Sequence, residues 1–232
     1  MYLRLSHSLN LHDHAFPGAP TMKLMPFEVI GKDGAVCNTF RVELFNHYGT
    51  HMDGPNHFDP EGKQLWQVPQ EMFFSESPLL LDIPKGEGES VMPDELLVHD
   101  EAIKQADMLF LRSGFEAVRT EDNLRYSQRG PSVSAATAQL IVTRWPHLKA
   151  VGLDWISLSS PLALEDGIRA HQIMLGGNGN KPVLIIEDVA LADVEADRLE
   201  QVLCVPLFIQ GIDSAPVTIF AKMKDICPTA PQ

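Results

Sequence analysis

Short apolar runs recur along this chain, separated by proline, glycine and polar clusters, which is the pattern of strands joined by turns. Phe27–Ile30 and Thr39–Phe45 come first. In the second, Phe40, Val42 and Leu44 alternate with Arg41 and Glu43, which predicts a strand buried on one face. Leu79–Ile83, Met108–Leu111 and Ala150–Leu153 are short apolar runs of the kind expected for strands covered on both faces. Val183–Ile186, Val202–Phe208 and Val217–Ala221 complete the set. Pro206 predicts that Val202–Phe208 is an edge or bulged strand, because proline cannot donate to a ladder. Helical signals lie between the strands. Pro93-Asp94-Glu95 opens one helix with acidic residues in its first turn. Ser134 is placed to cap another from Ala135 to about Arg144, with Ala136, Leu140 and Ile141 on its apolar face and Pro146 after its end. Strands and helices mix without strict alternation, so the pattern predicts one α/β or α+β domain, residues 1–232, built on a mixed sheet.

Composition narrows the class. With 232 residues and 44% hydrophobic content, the chain can bury about 70–75% of its unfolded surface and needs no disulfides. Lys and Arg number 18 against 31 Asp and Glu, a net charge of −13, which argues against nucleic acid or an anionic membrane as partner. Cys37, Cys204 and Cys227 are far apart and form no CxxC, so neither a disulfide framework nor a cysteine zinc site is expected. There is no apolar run of a signal peptide's or membrane span's length, and the expectation is a soluble cytoplasmic protein.

Nine histidines are the compositional oddity. His47, His51 and His57 fall with Asp53 inside eleven residues, directly after the alternating Thr39–Phe45 segment. Imidazole nitrogen and carboxylate oxygen are the usual ligands of zinc and also suit manganese. All four share odd parity, but a straight strand would spread them over roughly 33 Å at about 3.3 Å per residue. They converge only if the chain bends, and Gly49, Gly54 and Pro55 permit bends. The segment therefore reads as a loop curled around a metal, with a hydrogen-bonded loop or a metal-free His/Asp acid–base site as the alternatives. Further ligands could come from His171, at the end of a predicted helix, and Glu187, at the end of an apolar strand. The intervening Gly176-Gly177-Asn178-Gly179 lacks the GxxxxGK[ST] pattern and is not a phosphate loop. Ser157, Ser159 and Ser160 lack a nucleophile-elbow context, Asp154 reads as a turn cap, and Arg112 reads as half of an ion pair.

With both segments in view, the chain resembles the cyclase family of metal-dependent hydrolases, which includes bacterial kynurenine formamidases and isatin hydrolases. The family signature HxGTHxDxPxH is matched at all seven fixed positions by His47-Tyr48-Gly49-Thr50-His51-Met52-Asp53-Gly54-Pro55-Asn56-His57. Supporting blocks are Leu5-Ser6-His7-Ser8-Leu9, Phe16-Pro17-Gly18, Leu111-Arg112-Ser113-Gly114, Gly152-Leu153-Asp154 and Ala215-Pro216-Val217. The resemblance implies a swivelling β/β/α fold, assembly as a homodimer or homotetramer, and one or two divalent ions per chain, Zn2+ or Mn2+. It implies that His47, His51 and Asp53 bind one metal and that Asp53, His171 and Glu187 bind the second. His57 would then be the acid–base residue and Phe16 the substrate-stacking aromatic, where the family often has Trp or Tyr. Two further departures are the opening Leu5-Ser6 preceded by Arg4, where an aspartate is common just before the serine, and a longer spacing from His171 to Glu187, owing to Gly176–Lys181. The implied activity is hydrolysis of a cyclic amide or an N-formyl or N-acyl arylamine by metal-activated water. A lactone-opening hydrolase and a catalytically silent, metal-retaining binding module are the alternatives.

Overall fold

The computed structural model describes residues 1–177 and 179–225; Asn178 and Cys227 lie outside them. In chain order the strands are β1 (Tyr2–Arg4), β2 (Lys23–Glu28), β3 (Thr39–Glu43), β4 (His51–Asp53), β5 (Phe74–Ser75), β6 (Pro78–Asp82), β7 (Ser90–Val91), β8 (Met108–Arg112), β9 (Ser132–Val133), β10 (Ala150–Leu153), β11 (Leu184–Glu187), β12 (Leu199–Pro206) and β13 (Ser214–Met223). The helices are α1 (Pro93–Leu97), α2 (Asp100–Ile103), α3 (Glu116–Glu121), α4 (Asn123–Arg129), α5 (Ala135–Arg144) and α6 (Leu164–Met174). Nine strands form one mixed sheet in the order β5-β12-β13-β4-β11-β10-β8-β6, with β1 on β13. β6, β8, β10 and β11 run parallel, whereas β4 is antiparallel to both β11 and β13. The short β4 therefore joins a parallel half to an antiparallel half.

The parallel half explains its own sequence. The connections between its strands carry helices, and its strands are covered on both faces, so apolar residues occupy both parities. Leu109, Leu111, Val151, Leu153 and Ile185 face a cluster with Trp145, Trp155, Ile141 and Met174. Met108, Phe110, Ala150, Leu184 and Ile186 face the other cluster, against Met52, Val202, Val217 and Ile219. The predicted cap on α5 is present, with Ser134 Oγ accepting from the Thr137 amide. The buried face of α5 is Ala135, Ala138, Ile141 and Val142, however, and Ala136 faces solvent. Pro206 ends β12 opposite Val217, beyond the short stretch where β5 covers the other side, so its missing amide costs no ladder bond.

One expectation is overturned. Among the described residues, β2 and β3 pair only with each other, as a separate hairpin, with Leu24 opposite Val42 and Pro26 opposite Phe40. The alternation predicted a half-buried strand, yet Phe40 and Val42 are 52% and 53% exposed. Among the described residues, no other strand pairs with the hairpin, and its apolar side chains stay exposed. Among the described residues, no helix is long and apolar enough to cross a membrane.

Candidate functional site

The signature segment is a bend, a strand and a turn rather than a continuous loop. Gly49 adopts φ +66°, and a Cβ there would lie 2.4 Å from the Leu9 side chain, so the bend requires glycine. β4 then inserts between β11 and β13, with His51 opposite Glu187 and Asp53 opposite both Ile185 and Ser214. Residues two apart on a strand share a face, as do residues opposite each other. His51, Asp53 and Glu187 therefore project together toward the helix-covered side. The turn Pro55–His57 folds His57 back over them. α6 presents His171 from the same side. Gly167 lets that helix press on the Ser157–Ser160 segment, since a Cβ there would be 2.3 Å from Ser159 Oγ.

The side chains converge closely. His51 Nε2 lies 3.2 Å from Glu187 Oε2 and 3.5 Å from Asp53 Oδ1. His171 Nε2 lies 3.3 Å from Glu187 Oε1 and 3.8 Å from Asp53 Oδ2, and His47 Nδ1 lies 3.0 Å from Asp53 Oδ1. His51, Asp53, His171 and Glu187 are all buried. Despite these distances, His51 Nε2 and both oxygens of Asp53 have no hydrogen-bond partner among the described residues. Buried polar atoms are almost always paired, so three unpaired ones aimed at a common point mark a place for a cation. The opposite ring atoms are anchored: His51 Nδ1 is 2.8 Å from the Gly49 carbonyl and His171 Nδ1 is 2.9 Å from that of Gly167. A carbonyl on Nδ1 fixes the proton there and turns the Nε2 lone pair toward the carboxylates, as in protein metal sites. Glu187 Oε1 accepts from the Leu158 amide at 2.6 Å, which orients that carboxylate. Ligand atoms of two groups, His51-Asp53-Glu187 and His47-Asp53-His57, each lie within 4.8 Å of one another. This donor set fits a divalent ion and shares Asp53 between two positions.

Electrostatics follow the geometry. Burial works against charge on His47, but the carboxylates of Asp213 and Asp53 beside it overcome this and raise its pKa to about 10. His51 and His171 are likewise raised, against the cost of burial, by Glu187 and Asp53. Burial and Asp53 push Glu187 up, yet His171 and His51 hold it down at about 2. Burial pushes Asp53 up as well, yet His47, with His57 and His51, keeps it well below the usual carboxylate range.

Sequence reasoning missed Asp213. Its Oδ2 lies 2.9 Å from His47 Nε2 and 2.7 Å from His57 Nδ1, while Asn46 Nδ2 donates to its Oδ1 at 2.7 Å. One carboxylate thus orients both a candidate ligand and the candidate acid–base residue. The available signal was its position just before Ala215-Pro216-Val217, where an acidic residue opens the last strand. Asp154 is a turn cap, accepting from the amides of Ser113 and Gly114, and Arg112 pairs with Asp82, both as expected.

Above the cluster opens a cavity of about 230 Å³. Phe16, Phe45, Phe58, Ile156, Leu164 and Ile168 form its walls, while His47, His51, His57, His171 and Glu187 form its polar floor. Phe58 stacks on the His171 ring at 4.9 Å. All seven residues predicted for the site meet here, Asp53 beneath the floor and Phe16 at the wall. Among the described residues, no lysine or arginine lines the cavity.

Comparison with known proteins follows the same line. Residues 3–160 match the family model described as putative cyclase. An uncharacterized Haemophilus influenzae protein is 34% identical over 116 residues, covering 50% of this chain and 82% of that protein. Cyclase-like protein 1 of Arabidopsis thaliana is 25% identical over 195 residues, covering 80% of this chain and 69% of its own. Among solved structures, isatin hydrolase A from Labrenzia aggregata, bound to benzyl benzoate, superposes with a TM-score of 0.79 at 15% identity, covering 97% of this chain and 94% of its own. A potential metal-dependent hydrolase with cyclase activity superposes with a TM-score of 0.73 at 18% identity, covering 95% and 96%. At these identities the likeness is one of fold: a mixed α/β domain on a large mixed sheet.

Proposed function

This chain belongs to the cyclase family, and on that premise we propose that it is a metal-dependent hydrolase cleaving the carbon–nitrogen bond of a cyclic amide or an N-acyl arylamine. The observation that carries the reading is the set of unpaired buried donor atoms of His51 and Asp53 under an aromatic-walled cavity, with His57 beside it. His47, His51 and Asp53 would hold one ion, and Asp53, His171 and Glu187 a second. Zn2+ and Mn2+ both suit nitrogen and carboxylate donors without thiolate. Such an ion, when bound, supplies an acidified water and polarises a carbonyl at neutral pH.

The chain's own residues do the rest. Asp213 holds His57 through Nδ1, which leaves Nε2 as the atom that takes a proton from the attacking water and returns it to the leaving nitrogen. Phe16, Phe45 and Phe58 clasp a flat apolar body and exclude water from it. A carboxylate on the substrate would find no lysine or arginine among the described residues of the lining. That favours an uncharged ring amide of the isatin type over an arylamine carrying an amino-acid group such as N-formylkynurenine. We further place the working protein in the cytoplasm, with a small molecule as its partner.

The test is acid release from a panel of isatin, simple cyclic imides, N-formylkynurenine and lactones, with protein that is metal-loaded, chelated and reloaded. Turnover of the uncharged ring amides that vanishes on chelation and returns with metal is the expected result. Preference for lactones would move the activity to ester bonds on the same site. Metal uptake without turnover of any compound would favour a binding module.

A further inference from the structure

The longer spacing between His171 and Glu187 does not reshape the catalytic cavity. None of the described residues of Gly176–Lys181 lines it. The segment leaves the end of α6 and returns beside it, because the Val183 amide donates to the Met174 carbonyl at 2.8 Å. Gly176, Asn180, Lys181 and Pro182 instead wall a second cavity, of about 380 Å³, which Pro55, Gly62, Val68 and Met72 close from the other side. That volume lies within the about 300–1,000 Å³ of small-molecule sites.

Its lining divides by character. Val68, Leu175 and Leu184 are buried, and Pro69, Met72 and Pro182 extend the apolar wall. Lys63 and Lys181 are exposed, and Asp59 is half-buried. The chain has nine lysines. Five pair with a carboxylate, and Lys224 donates to the Asp197 carbonyl. Among the described residues only Lys32, Lys63 and Lys181 lack such a partner, and two of these three meet at this cavity. On a chain of net charge −13, two uncommitted cations beside a buried apolar wall select an anion with a hydrophobic body. Asp59 Oδ1 accepts from the Glu61 amide at 3.0 Å, which leaves Oδ2 to accept from an N–H of the ligand.

The back of this cavity is built from the elements of the candidate site. Pro55 opens the turn that ends on His57, and the Lys63 carbonyl accepts from the Asn56 amide at 3.1 Å. Leu175 follows α6, its amide on the His171 carbonyl at 2.9 Å, and Leu184 opens β11, which ends on Glu187. An occupant therefore bears on the backbone behind three residues of the site, where a shift of about 1 Å can cost about 10²-fold in rate.

We propose that this cavity is a second ligand site, taking a small aromatic carboxylate that carries an amine, and that its occupancy slows turnover. The link to turnover rests on the hydrolase reading. Opening an aryl ring amide breaks the C–N bond and forms a C–O bond to the water oxygen. One water proton goes to the nitrogen and the other leaves as the acid ionises. The product keeps the flat body and gains the carboxylate and the amine that Lys63, Lys181 and Asp59 are placed to receive.

Calorimetric titration of the full chain with 2-aminobenzoate tests the site without reference to turnover, in chelator so that no metal receives the carboxylate. One saturable site is expected, weakened about tenfold in Lys63→Ala with Lys181→Ala and unchanged in Phe16→Ala of the catalytic cavity. No saturable binding, or binding that depends on Phe16 and not on the lysines, overturns the proposal. Should the lysine variant misfold, the unmodified protein decides. There 2-aminobenzamide, of the same shape without the charge, must bind about tenfold more weakly, and equal affinity overturns the site. Metal-loaded protein tests the consequence with whichever ring amide it turns over. 2-Aminobenzoate is expected to lower kcat in the parent and not in the lysine variant, whereas purely competitive inhibition, or equal inhibition of both, overturns the regulatory step. Binding to chelated protein with no turnover of any ring amide upholds the site and removes the hydrolase reading.

Discussion

Glu187 and Asp188 are consecutive, both buried, and sit in opposite kinds of surroundings. Asp188, at φ +55°, turns away from the cavity into a paired network. Arg119 donates to its two oxygens at 2.9 and 3.2 Å, and the Tyr126 hydroxyl donates at 2.7 Å. Asp13 takes the remaining reach of Arg119 at 2.8 Å, and the unpaired atom at the edge is His7 Nε2, 4.0 Å from Asp188. Glu187 points the other way: its Oε1 pairs with His171 Nε2 at 3.3 Å, but among the described residues His51 Nε2, 3.2 Å from its Oε2, and both oxygens of Asp53 are unpaired as hydrogen bonds. Burial of charge is common to both regions and so does not identify a site. Directional satisfaction separates them: where donors meet acceptors, the charges hold the fold together, and where acceptors converge on one another, something positive is missing.

Mutation can break the contrast from either side. Asp53→Ala removes the shared carboxylate and should have the largest effect. Metal affinity should fall by more than the about 10–100-fold lost when a residue hydrogen-bonded to a ligand is removed, and activity should drop to the level of chelated protein. Calorimetric titration with Zn2+ or Mn2+ checks this, and unchanged uptake would place the ions elsewhere. His57→Ala should lower turnover by about 10²–10⁴-fold while metal stoichiometry stays intact. Loss of an ion in that variant would make His57 a ligand instead, as its place beside His47 and Asp53 allows. Asp188→Ala acts on the other region. It leaves Arg119 buried without its main partner, so stability should fall by about 3–5 kcal/mol. For a chain of this length that lowers the melting temperature by roughly 6–20 °C, with turnover per folded molecule largely kept. Asp213→Asn should be milder, weakening metal affinity by about 10-fold through loosened His47, and slowing turnover through loosened His57.

How these regions could be read from the sequence differs for a physical reason. The metal cluster was legible because its residues are packed into eleven positions between turn formers, and because a strand with period two carries His51 and Asp53 to one face. The parallel strands were legible as apolar runs because both their faces are covered. Asp213 and the Asp188–Arg119–Tyr126 network were not, since their partners lie 62 to 167 residues away in sequence and nothing local marks them. β3 was legible in its period but not in its setting. Alternation reports that one face is apolar, and it is silent on whether the cover belongs to the same chain.

The smallest effect tests the claim that the cluster needs positive charge. In metal-free protein that charge comes from protons on the histidines, which is why His47 is raised to about 10 from an ordinary 6.5. A folded pKa above the unfolded one stabilises fully below about 6.5, and the contribution is lost as pH rises through about 10. Glu187, lowered to about 2 from 4.5, stabilises fully above about 4.5 and loses that contribution as pH falls toward 2. Chelated protein should therefore be most resistant to urea between about pH 4.5 and 6.5 and weaken steadily above it. Loaded protein should not weaken in the same way, because an ion replaces the protons and its uptake releases them. The gap between the two urea midpoints should thus widen from pH 6 to pH 9. Parallel curves would mean that the carboxylates of this cluster are compensated by something other than the protons or the metal, and the contrast between Glu187 and Asp188 would lose its chemical meaning.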